Sequence, residues 1–73
     1  MDDIYLVETG DLSGEAEIEN LWDSLADAEN YALVKIDQSE ADYQRDTSKE
    51  NDDSLRYWSD GYHFICIKIK TVE

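Results

Sequence analysis

The sequence predicts an α+β fold, a small mainly antiparallel sheet of about four strands with one amphipathic helix packed on one face, in the order strand, helix, strand, hairpin. Three observations lead there. Ile18, Leu21, Trp22, Leu25 and Ala28 recur at spacings of three and four, which is the stripe of one helix. Ile65, Ile67 and Ile69 alternate with Phe64, Cys66, Lys68 and Lys70, which is the period of a half-buried strand. Between two apolar runs, Asp60-Gly61 supplies the dipeptide of a tight hairpin turn.

In chain order, "IYLV" (residues 4–7) reads as a first strand, and "ETGDLSGE" follows with two glycines and candidate cap residues. The apolar stripe then predicts a helix from Ser13 to Asn30. The segment also holds "SLAD", Ser24 to Asp27, a capping box that would break it near Asp23 into two shorter helices. "YALVKID", residues 31–37, looks like a second strand with Ala32, Val34 and Ile36 inward and Leu33, Lys35 and Asp37 outward.

Residues 39–54, "SEADYQRDTSKENDDS", form a long acidic excursion with almost nothing apolar, expected to be either mobile or functional. A final hairpin closes residues 1–73, read as a single domain. Its isoleucines are the expected core face, with His63 at the end of that face and Cys66 packed as a small hydrophobe. On the register expected here, Leu33, Trp58 and Phe64 lie on a second, uncovered sheet face. That face suits a homodimer or partner contact, unless the acidic segment folds over it.

Charge bounds the function. Nineteen acidic residues against six basic ones give a net charge of −13 on 73 residues, yet 41% of the chain is apolar and 11% aromatic. Such a chain folds despite self-repulsion, buries only about 60% of the surface its unfolded form exposes, and has no room for a deep substrate cleft. Enzymatic chemistry finds few parts. His63 and Cys66, three apart in a strand, point to opposite faces and cannot pair as base and nucleophile. Three scattered glycines make no phosphate cradle, and "ENDDS" lacks the alternating oxygens and turn glycine of a calcium loop. The expectation is a non-enzyme without cofactor or metal. The single cysteine fits a reducing compartment, and "MDDIYLVETGD" reads as neither a signal peptide nor a membrane span, so an intracellular, cytoplasmic location is expected.

The expected helix carries Glu15, Glu19, Asp23 and Asp27 at intervals of four and no base at all. Like charges so spaced repel, and solubility needs only a net charge of roughly 2 to 8 with mixed signs. Salt adaptation sits poorly with four lysines and six isoleucines. A negative surface offered to a basic partner explains the row better. Four residues of helix rise about 6 Å, and duplex DNA presents a phosphate about every 3.4 Å of axis on each strand. With Glu40, Asp42, Asp46, Glu50, Asp52 and Asp53 of the loop, the row would imitate several phosphates for a groove lined by arginine and lysine.

In size, charge and the stretches "GEAEIENLWDSLADAEN" and "SEADYQRDTSKENDD", the chain resembles the small acidic inhibitors, mostly phage-encoded, that block host nucleic-acid-binding machinery by imitating DNA, the anti-CRISPR and anti-restriction proteins among them. These share no common motif, so the resemblance transfers no individual residue. It implies host defence evasion, with a CRISPR complex or nuclease, a restriction enzyme, or a nucleoid or repair protein as partner. It implies no direct nucleic-acid binding, and the chain's own charge, repelled by a negative membrane surface, argues for no membrane contact. The competing expectation is an immunity or antitoxin-like protein that neutralises a basic toxin or nuclease through aromatic anchors, for which Tyr43, Trp58 and Phe64 are the candidates.

Overall fold

A computed structural model describes residues 2–72. Five antiparallel strands form one sheet in the order β2-β1-β5-β4-β3, with a single α-helix. The elements are β1 (Asp2–Asp11), β2 (Ala16–Trp22), α1 (Leu25–Gln38), β3 (Gln44–Arg45), β4 (Ser54–Ser59) and β5 (His63–Val72), with a 3-10 turn at Thr47–Lys49. The α+β class is as expected, but the sheet has five strands rather than about four. The additional ones are β2, inside the expected helix, and the short β3, inside the acidic segment; the expected strand at residues 31–37 is helical.

The expected helix over residues 13–30 is thus corrected. Its first half is an edge strand and its second half opens α1. Asp11 and Glu15 close the β1–β2 turn, the Asp11 N–H donating to the Glu15 carbonyl at 2.9 Å. Gly14 sits there at φ 116°, a left-handed conformation that costs glycine little. In β2 the spacing of Ile18, Leu21 and Trp22 is met by a β-bulge: the register with β1 shifts between Val7 and Glu8, so Val7 faces Asn20 and Glu8 faces Ile18. A strand also removes the electrostatic objection, since Glu15, Glu19, Asp23 and Asp27 no longer stack on one helix face. Charges along β2 further discourage pairing of its open edge with another chain.

The break near Asp23 occurs where the capping box placed it. Ser24 caps α1, its Oγ accepting from the Asp27 N–H at 3.4 Å. Leu25, Ala28, Ala32 and Ile36 then follow at three, four and four, and Ala28 and Ala32 are fully buried. Two alanines at the contact let the helix lie close to the sheet. This overturns the strand expected at residues 31–37: "ALVKI" alternates like a strand, but its helical partners lie upstream, in Leu25 and Ala28.

The core is the layer between α1 and the sheet: Val7, Ala28, Ala32, Trp58, Ile65 and Ile67, with Tyr5, Trp22, Leu25, Tyr31, Ile36 and Tyr43 packed around it. Ile65 pairs with Thr9 and Trp58, and Ile67 with Val7, so the isoleucine face of β5 is the core face as expected. Trp58 belongs to this layer and Leu33 to the exposed side of α1, which corrects their placement on the second sheet face; Phe64 alone of the three lies there. On that face Tyr57 and Phe64 stack with ring centroids 5.6 Å apart, and Cys66 is buried between its neighbours. Burial, then the charge of Glu8, pushes the Cys66 thiol up to about 11. Ile18 and Leu21 remain 57% exposed on the same face. No described helix is long and apolar enough to cross a membrane.

Candidate acidic interface

The candidate residues fall into three groups according to what the fold does with their charge. In the first, a cation already holds the carboxylate. Glu19, the extra residue at the bulge, accepts from Lys35 Nζ at 2.8 Å and from the Thr9 hydroxyl at 3.0 Å. The Lys35 hydrogen bond, with that of Thr9, lowers the Glu19 pKa, and the same bond raises that of Lys35. Glu50 receives Arg45 in a two-pronged pair at 2.7 and 2.8 Å, which lowers the pKa of its carboxyl. Glu29 with Arg56 at 2.9 Å and Glu8 with Lys68 at 3.2 Å are bound likewise. Four cations are thereby committed within the chain.

The second group carries charge near the amino end of α1 and in the 3-10 segment. Asp23 and Asp27 are exposed, and Asp27 lies in the first helical turn, where the helix dipole favours an anion. Asp46 accepts from the Ser48 N–H at 3.1 Å and so caps the 3-10 turn. Asp52 and Asp53 are exposed just before β4, in a turn organised by Asn51 Oδ1, which accepts from the N–H groups of Asp53 and Ser54.

The third group gathers at the other end of the helix. A groove of about 520 Å³ lies between the carboxyl end of α1, the β1–β2 turn and the start of β5. Its carboxylates are Asp11, Glu15 and Glu17, and Gln38, Ser39 and Tyr43 bring the end of the helix to its opposite wall. Asp37, Glu40 and Asp42, all exposed, flank that wall in the chain. Lys35 and His63 also line it, each with a carboxylate of its own: Glu19 for Lys35, and for His63 Asp60, whose Oδ2 is 3.5 Å from Nδ1. The N–H groups of His63 and Tyr62 donate to Asp60 and lower its pKa. The Ser13 hydroxyl does the same for Asp11.

Of the aromatic candidates, Tyr43 is half-buried at the groove, and its burial, followed by the charge of Asp60, raises its pKa. Phe64 is half-buried and engaged with Tyr57. Trp58 retains only 6% of its surface, too little to anchor a partner. Gly10 lines the groove at a position that admits no side chain, because a Cβ there would run into the Glu15 carbonyl oxygen and the Ala16 Cα.

The sequence reading missed Asp11, Glu17, Lys35 and His63 as members of one site. The alternation Glu15, Glu17, Glu19 was the available signal, since it is the period of a strand. Among the described residues no three His, Cys, Asp or Glu side chains are grouped so as to hold a metal ion. The chain matches no protein-family model, no curated protein and no solved structure.

Proposed function

We propose that this chain is a non-enzymatic inhibitor that presents an acidic, nucleic-acid-like surface to a basic nucleic-acid-binding protein, of the anti-CRISPR or anti-restriction type. One observation carries the reading: carboxylates stand where the chain's own electrostatics oppose them. Asp37 is in the last turn of α1, and Glu40 and Asp42 follow it. A helix carboxyl end bears about half a negative charge, so each costs some tenths of a kcal/mol there. Across the groove from the end of that helix, Asp11, Glu15 and Glu17 line the other wall, none of them paired with a lysine or arginine among the described residues. A basic partner removes this strain, and phosphate-binding grooves supply such a partner.

Dimensions support the reading. The body measures 37 × 22 × 20 Å, close in length to one duplex turn of roughly 34 Å. The neutralising of a toxin through aromatic anchors is less favoured, since Trp58 is in the core.

The test is capture by the immobilised chain from a bacterial lysate containing a defined CRISPR effector and a restriction enzyme, eluted with a salt gradient and repeated with competing duplex DNA. The expected result is retention of a nucleic-acid-binding protein that leaves at moderate salt and is displaced by DNA. A partner that resists both salt and DNA refutes mimicry and favours contacts of the toxin-neutralising kind.

A further inference from the structure

We infer that the groove at the carboxyl end of α1 seats an arginine side chain of the basic partner, which makes it the specific anchor within an otherwise diffuse acidic surface. The inference rests on the function proposed above and names the chemistry of the contact. Three features favour an occupant of this kind. The groove's charge is only partly met from within: Asp11 accepts from the Ser13 N–H and hydroxyl and lies in the field of His63, but Asp11, Glu15 and Glu17 pair with no lysine or arginine among the described residues, and Lys35 and His63 are turned to Glu19 and Asp60. At about 520 Å³ it admits one long side chain with its backbone. Its wall includes an aromatic side chain, Tyr43, which is half-buried and packs against the core cluster.

These features discriminate between cations. A guanidinium is planar, donates in two directions to carboxylates and stacks on an aromatic face at little desolvation cost, whereas an ammonium is a strongly hydrated point charge. Carboxylates beside an aromatic wall therefore select arginine over lysine. The Asp52–Asp53 turn, with no aromatic wall described beside it, has no such preference. Gly10 permits the geometry by letting the β1–β2 turn approach β1 closely enough to bring Glu15 and Glu17 to the groove.

The experiment titrates the isotope-labelled chain with acetylated tetra-arginine and, separately, acetylated tetra-lysine at the same ionic strength, following backbone amides by NMR. Tetra-arginine is expected to bind roughly tenfold tighter, with shifts concentrated at Gly10, Ala16, Tyr43 and His63. Tyr43→Ala and Glu17→Gln should each erase most of that preference, while the double variant Asp52→Asn, Asp53→Asn, equal or greater in charge removed, should keep it. Glu17 is exposed on an edge strand, so Glu17→Gln retains the fold even if Tyr43→Ala loosens it. Equal affinity for the two peptides, or shifts spread over all the acidic segments, overturns the arginine anchor and leaves the acidic-surface reading standing. Selective arginine binding by a chain that DNA never displaces from its captured partner would overturn that reading and leave the groove. No saturable binding of either peptide at low salt overturns the anchor.

Discussion

Reversing the charge of Glu17 and of Glu19, two neighbouring acids on one strand, should have opposite effects on stability. Glu17 is exposed with no cation partner among the described residues, so Glu17→Lys relieves part of the repulsion in a chain of net charge −13 and should leave stability unchanged or raise it by a few tenths of a kcal/mol. Glu19→Lys removes the 2.8 Å contact with Lys35 and the hydrogen bond from Thr9, and sets two ammonium groups side by side. Both ionic side chains are about one-third exposed, at 31% and 37%, so solvent screening limits the ion pair to about 0.2–1 kcal/mol. The hydrogen bond adds about 0.5–1.5 kcal/mol and the new repulsion a further fraction, for a loss of about 1–2 kcal/mol. In a domain of this size each kcal/mol moves the Tm by about 4–8 °C, so thermal and urea unfolding at pH 7 resolve the difference. The pH dependence has a definite sign. The Lys35 and Thr9 bonds hold Glu19 below the ordinary glutamate value of 4.5, so their stabilisation is fully present above that value and disappears as pH falls through the lowered one. The gap between wild type and Glu19→Lys should therefore narrow in acid. Equal destabilisation by both substitutions, or a Glu19→Lys variant as stable as the wild type, would refute the assignment of these two carboxylates to different roles.

Added salt should raise the Tm at neutral pH, because screening on the scale of about 8–10 Å weakens repulsion among the unpaired carboxylates more than it weakens the few close pairs; a fall in Tm between low and moderate salt would contradict this. Gly10→Ala should cost about 1–3 kcal/mol and shift the amide resonances of the β1–β2 turn, since its Cβ would clash with the Glu15 carbonyl oxygen; unchanged turn resonances would show that the close approach is not required. The Cys66 thiol, 2% exposed and with its pKa raised to about 11, should react with a disulfide reagent only on unfolding, so the labelling rate should follow the opening equilibrium across urea, and rapid labelling of the native chain would place the thiol elsewhere.

By itself the sequence determined the parts of this protein that rest on local pattern and on charge. The isoleucines of β5 face the core because strict alternation admits one reading, and the hairpin turns through Asp60–Tyr62, where Gly61 takes a φ of 96° that glycine tolerates. Ser24 begins a helix because its hydroxyl and the following residues satisfy an amino terminus. The acidic excess was equally legible. Tertiary structure decided the rest. "AEIENLW" carries apolar spacing that suits a helix, yet β1 offers it an antiparallel edge with a bulge, and Thr9 and Lys35 offer Glu19 partners that an isolated helix would lack. "YALVKID" alternates like a strand, but burying Ala28 and Ala32 against the sheet makes it the continuation of α1. The groove was illegible for the same reason: its carboxylates at residues 11–17 meet the end of a helix near residues 38–43 only because the sheet sets the first pair of strands beside β5 and the helix crosses behind them. Contacts between residues so far apart in the chain depend on which elements form, and that choice lay in packing and long-range pairing, which the local sequence pattern does not encode.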